Sequence, residues 1–185
     1  MHGLKPVIIA LTVSLSVMAE AGGTPYTQGW LTYTGAWFTI KYPTNFSIVP
    51  LSKSSTSIDG YDGVKFVAAK DLVEFYVYSP QSGGLQADYT NEITAKAVIE
   101  KTEDDKTQTK DYVVEGKVIE TNAITKRVIV ISAKDNSYKR TFEISDDYIC
   151  GTRLIFGFRY PDKARFKNYK PLYEAFTNSL VQYAD

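Results

Sequence analysis

Across 185 residues, 21 lysines and arginines balance 21 aspartates and glutamates, so the chain lacks the cationic excess by which nucleic-acid binders hold a phosphate backbone. Its single cysteine, Cys150, excludes an internal disulfide framework. Its single histidine, His2, stands near the start with both methionines, Met1 and Met18; the body of the chain has no imidazole for a Ser-His-Asp triad, a Cys-His dyad or a histidine metal ligand.

Lys5 precedes an apolar run, Pro6 to Val17, and the tripeptide Ala19-Glu20-Ala21 follows. A positive start, a short apolar stretch and an Ala-x-Ala ending form the pattern of a cleaved export signal. The run is about 12 residues, short of the ~20 that cross a bilayer as a helix. The sequence therefore predicts a signal peptide at 1–21, an N-terminal lead-in at 22–36 and a single domain at 37–185. No cysteine adjoins the junction. The expected product is secreted or periplasmic, is not a lipoprotein, and keeps no transmembrane segment after cleavage.

Beyond the lead-in, aromatic and β-branched residues alternate with polar ones between turn formers, which is strand chemistry. Trp37 to Tyr42 and Phe46 to Val49 flank Pro43-Thr44-Asn45 and predict a hairpin. Further strands are expected at Val64 to Ala69, Leu72 to Ser79, Ala97 to Glu103, Lys110 to Glu115, Lys126 to Ser132, Tyr138 to Ser145 and Thr152 to Tyr160. Turns are expected at Asp59 to Gly63, Asp135 to Ser137 and Asp146-Asp147, with Glu103-Asp104-Asp105 as a solvated hairpin tip. Short connections make the sheet mostly antiparallel.

Val128 to Ile131 is apolar on both faces. In the last strand Tyr148, Cys150, Thr152, Leu154, Phe156, Phe158 and Tyr160 share one face, with Arg153 and Arg159 opposite. Residues 81–96 fit either a helical turn or an irregular strand. Pro161-Asp162 can start a short helix, and Pro171 can open a second whose stripe is Leu172, Phe176, Leu180 and Tyr183.

The opening WFTIKYPTNFSIV, the strand VEFYVYSP from Val73 to Pro80, and the ending FGFRYPDKARFKNYKPLYEAFTNSL from Phe156 to Leu180 resemble the PsbP-like α/β/α sandwich superfamily. That family includes the PsbP extrinsic subunit of photosystem II, a Ran-binding nuclear import factor and DcrB-type bacterial envelope proteins. The resemblance implies an α+β fold, a mostly antiparallel sheet covered by helices, with an amphipathic C-terminal helix. It also implies protein or assembly partners. Residues 81–96 depart from the pattern, because they do not show the helix that such folds place on the second face.

Candidate chemistry is sparse. Cys150 falls on the apolar face of its strand and reads as a small buried hydrophobe, its thiol having no histidine to activate it. Asp59 to Gly63 lacks the alternate oxygen ligands and distal glutamate of a calcium loop. Asn45-Phe46-Ser47 is a glycosylation sequon on a turn, meaningful only in a eukaryotic source. From Arg153 to Lys170, six basic residues (Arg153, Arg159, Lys163, Arg165, Lys167 and Lys170) face one acid, Asp162; they could form a patch for an anionic surface or the solvated side of a helix. Tyr76 and Tyr78 share a strand face with Glu74 and could supply an aromatic, polar contact surface.

These residues give candidate binding positions at Arg153, Arg159, Tyr76, Tyr78, Glu74, Lys163 and Arg165, with no catalytic residue, metal site or cofactor. The expected function is that of a non-catalytic binding or accessory protein contacting a protein or an envelope assembly, and not nucleic acid. The alternatives are a small-ligand carrier with a pocket between sheet and helix, and a histidine-free hydrolase using carboxylates or Cys150.

Overall fold

A computed structural model describes residues 27–53, 60–80, 95–114, 117–147 and 151–183. The strands are β1 (Leu31–Thr34), β2 (Phe38–Tyr42), β3 (Ser47–Ser52), β4 (Gly63–Ala68), β5 (Val73–Tyr78), β6 (Ala97–Val114), β7 (Lys117–Ala133), β8 (Lys139–Asp147), β9 (Thr152–Tyr160) and β10 (Val181–Gln182); the helix α1 spans Lys163–Asn178. A seven-stranded sheet runs in the order β3-β4-β5-β9-β8-β7-β6, and a three-stranded sheet in the order β1-β2-β10. Every pairing is antiparallel. The fold class is α+β, as the sequence predicts.

The core lies between the large sheet, the small sheet and α1. Alternation sends Val73, Phe75 and Val77 of β5, with Leu154, Phe156, Phe158 and Tyr160 of β9, toward α1, where they meet Phe38, Phe66, Tyr173 and Phe176. Aromatic rings dominate, with Phe75–Phe158 and Phe75–Tyr173 centroids both 5.4 Å apart. Asp162 caps α1, its carboxylate accepting from the Arg165 N–H at 2.8 Å. Tyr169 and Arg165 then reach Asp71 in the turn between β4 and β5, Tyr169 donating to Asp71 Oδ2 at 2.6 Å. Burial and that carboxylate push the Tyr169 phenol up to about 12.

Several expectations change. The Pro43 turn exists, with Phe46 N–H donating to the Pro43 carbonyl at 3.0 Å, but the strands around it do not form a hairpin. β2 pairs with β1 and β10, while β3 pairs with β4. Turn residues define a local bend, whereas strand partners are chosen by the core: Phe38, Ile40, Tyr42 and Phe46 are all buried in the one space shared by both sheets. β1 itself falls inside the expected lead-in.

The two short strands expected at 97–103 and 110–115 are one, and Glu103-Asp104-Asp105 is not a tip. The run contains no glycine, proline or asparagine to turn the chain, and a register shift between Glu103 and Lys106 absorbs it within β6. β6 and β7 stay paired from Thr109↔Ala123 to Val114↔Lys117, past the last β7–β8 pair at Ile124↔Asp147, so they leave the body as a two-stranded ribbon.

Asp146 and Asp147 end β8 instead of forming a turn, because Asp146 stands opposite Arg153 and is neutralised there. Asp135 to Ser137 does turn, with Asn136 at φ 59°. Val128 and Val130 are only half-buried, while Ile129 and Ile131 are buried.

The two helices expected around Pro171 are one continuous helix with Pro171 inside it. Interior proline costs about 3 kcal/mol, and the packed stripe of Phe166, Tyr169, Tyr173 and Phe176 continues across it. Tyr183, expected on that stripe, is exposed beyond the helix, its N–H donating to the Trp37 carbonyl at 2.8 Å. Cys150, Tyr148, His2, the leader and residues 81–94 lie outside the described residues. No described helix is long and apolar enough to cross a membrane.

Candidate functional site

On the sheet face away from α1, register aligns three charged residues across adjacent strands: Glu74 of β5 stands opposite Arg159 of β9, which stands opposite Arg140 of β8. The Glu74 carboxylate accepts from Arg140 Nη2 at 2.7 Å and from Arg159 Nη1 at 2.5 Å, with Lys65 Nζ 3.8 Å away. Burial alone would raise the Glu74 pKa, but Arg140, Lys65 and Arg159 more than offset it and hold the carboxyl below its ordinary value. The Arg159 guanidinium lies 4.1 Å from the centre of the Tyr138 ring.

Arg153 forms a two-pronged pair with Asp146, at 2.6 Å and 2.9 Å. Tyr76 and Tyr78 occupy the predicted face but pack in a second apolar cluster with Ile129, Ile131, Phe142, Ile144 and Ile155. Tyr78 is 8% exposed, and burial raises both phenols. Gly157 makes room for this packing, since a Cβ there would lie 3.1 Å from Tyr76 Cβ.

The structure thus brings Glu74 and Arg159 into contact, and places Tyr76, Tyr78 and Arg153 on the same sheet face. Lys163 and Arg165 are not with them. Both are exposed on the first turn of α1 against the other face, Arg165 between Asp71 at 3.6 Å and Asp162 at 3.9 Å. The basic run therefore divides between two sides of the sheet. Sequence reading missed Arg140, although its alternation with Phe142 and Ile144 places a cation in an apolar row that demands a carboxylate partner.

The face under α1 holds a different arrangement. A pocket of about 240 Å³ opens between α1 and strands β8 and β9. Its apolar wall is Phe158, Phe166 and Tyr173; the first two rings lie 5.5 Å apart and the first and third 5.0 Å apart, nearly parallel in both cases. Thr141 and Glu143 line it from β8, and Lys170, Glu174 and Thr177 from α1.

Tyr173 is buried, and its hydroxyl makes no hydrogen bond of normal geometry. It faces Glu143, close enough for that carboxylate to serve as its partner: burial, then the carboxylate's charge and the hydrogen bond to it, push the phenol far up. Glu143 is accessible at the pocket mouth, yet protein crowds its carboxyl and raises its pKa. Glu174 acts in the same direction, while Tyr173, Lys126 and Lys170 act against it. Among the described residues no cation lies within salt-bridge distance of Glu143; Lys170 sits 3.6 Å from Glu174 instead. The signal for this site was the alternation of Thr141, Glu143 and Ser145 opposite Phe142 and Ile144, a polar row turned toward an aromatic helix. No group of three acidic, histidine or cysteine residues suited to a metal occurs among the described residues.

No protein-family model matches the chain, and no curated protein does. Among solved structures it is similar to the solution structure of cyanobacterial PsbP from Synechocystis sp. PCC 6803, at 14% identity and a TM-score of 0.47, with 90% of this chain and 99% of that chain covered.

Proposed function

We propose that this chain is a secreted or periplasmic, non-catalytic binding protein that holds a small molecule between α1 and the seven-stranded sheet. The pocket itself carries the reading: its wall of Phe158, Phe166 and Tyr173 offers apolar surface, and the accessible Glu143 carboxyl at its mouth offers a polar group to orient a ligand. The strongest charges elsewhere are already spent on each other, Glu74 on two arginines and Asp146 on Arg153.

The test is protein-observed NMR with uncharged and charged fragments of about ten non-hydrogen atoms. Fragments should perturb Phe166 and Tyr173 and lose binding when Thr177→Phe fills the pocket. Perturbations confined to the Glu74 face would sink the reading. A second reading, docking to a protein or envelope assembly, is favoured by the β6–β7 ribbon that extends past β8 with β6 at the sheet edge. Loss of a captured partner after deletion of 109–123, with unchanged capture by Thr177→Phe, would support docking.

A further inference from the structure

We propose that the pocket under α1 takes a small organic ammonium, its charged nitrogen against Glu143 and its apolar part along Phe166 and Phe158. The inference rests on the pocket being a ligand site and names the ligand's chemistry.

Hydrogen-bond inventory points to a donor. Thr177 Oγ1 already donates to the Glu174 carbonyl at 3.0 Å, so toward the pocket it offers lone pairs. The Glu143 carboxylate, once ionised, only accepts, and the Tyr173 oxygen can accept as well as donate. Among the described residues the one cation in the lining, Lys170, lies 3.6 Å from Glu174. Among these residues the lining offers mostly acceptors around a carboxylate with no cation within salt-bridge distance. A primary ammonium brings three donors and a positive charge.

Size and surface agree. Water's share of liquid volume is about 30 Å³, so a space of about 240 Å³ suits roughly eight to ten non-hydrogen atoms. The aromatic wall favours a cation nearby and an apolar body against it. Anions fit poorly, since Lys170 and Glu174 offset each other and leave the Glu143 carboxylate facing them. Binding is coupled to pH, because an ammonium favours ionised Glu143 over the protonated form that crowding promotes. The charged and titratable groups facing Glu143 are Tyr173, Lys170 and Glu174 from α1 and Lys126 from β7. Affinity should therefore rise with pH through the raised Glu143 pKa, with a proton released on binding.

Phenethylamine and phenethyl alcohol test this, because they share shape and size and differ in charge. Near neutral pH the full chain should bind the amine about tenfold or more tightly than the alcohol. The advantage should vanish in Glu143→Gln and shrink as pH falls toward about 4. Glu143 is accessible, so this substitution preserves the fold. Equal affinity for the two probes, or an amine advantage that survives Glu143→Gln, overturns the ammonium assignment and leaves a ligand pocket. If neither probe perturbs Phe166 or Tyr173, the pocket reading falls with it.

Discussion

Glu74 and Glu143 lie on opposite faces of one sheet, and their surroundings treat them in opposite ways. On the far face Glu74 is enclosed, bonded to Arg140 and Arg159, with its pKa lowered. Under α1, Glu143 stands accessible at a pocket mouth beside the Tyr173 hydroxyl, its pKa raised, with no salt bridge among the described residues. The first is a polar group whose bonding is completed within the protein. The second is a polar group open both to solvent and to whatever enters the pocket. Charge density therefore misleads as a guide to function here: on the face richer in charged residues Glu74 and Asp146 are already bonded to arginines, although Arg159 Nε there is buried without a hydrogen bond.

Removing Glu74 is the most severe way to test that contrast. Glu74→Gln strands two arginines on a mostly buried face and should cost about 3–5 kcal/mol, the scale for breaking one side of a buried ion pair, measured by urea unfolding. A cost near that of a surface charge change would mean that the far face is more open than its geometry indicates.

Acid titration separates the two glutamates by sign. The depressed Glu74 pKa contributes stability that is present above its ordinary value of 4.5 and lost as pH falls through the lower folded value. The raised Glu143 pKa does the reverse, with a contribution present below 4.5 and lost as pH rises through the higher folded value. Thermal melts between pH 3 and 8 should show Glu74→Gln flattening the acid limb and Glu143→Gln raising the melting temperature toward neutral pH. The same direction of change for both variants would erase the distinction between the faces.

Much of this fold was legible in period-two patterning. β9 was read at its observed bounds, and its division into an aromatic face and an arginine face holds for Arg153, Leu154, Phe156, Phe158, Arg159 and Tyr160. Pairing was not legible around Pro43, since a turn signal is local while β3 finds β4 through burial of Phe66 and Phe46 in a shared core. Continuity was missed at Pro171 and at Glu103 to Asp105 for a related reason: tertiary packing and a strand bulge override the residues that usually end an element. Of the candidate binding residues, the alignment of Glu74 with Arg159 could be anticipated from facing strands, but Arg140 enters only through the third strand. The pocket was foreseen as a possibility between sheet and helix, but its aromatic wall comes from Phe166 and Tyr173, which the expected stripe omits, while Leu172, Phe176 and Leu180 of that stripe do pack on the core.

A smaller effect is expected where α1 begins. Asp162→Ala removes the carboxylate that accepts the Arg165 N–H and should cost about 1 kcal/mol. Because α1 forms one wall of the pocket, the loss should loosen the open face while leaving the Glu74 cluster intact. Amide exchange would reveal this as faster exchange in the first turn of α1 without change at Arg140 or Arg159.

The smallest stability change is also the most diagnostic. Tyr173→Phe deletes a hydroxyl that makes no well-formed bond and keeps the ring that packs 5.0 Å from Phe158. If that oxygen is merely tolerated, its removal should be neutral or stabilise by up to about 1 kcal/mol, since a desolvated polar group disappears without leaving a partner unsatisfied. If it serves a ligand, the same variant should bind phenethylamine more weakly while melting at the same or a higher temperature, the opposite movement of stability and function that marks a binding group. A loss of stability comparable to the Glu74 substitution would instead place Tyr173 in a completed network with Glu143, and the two faces of the sheet would no longer differ in kind.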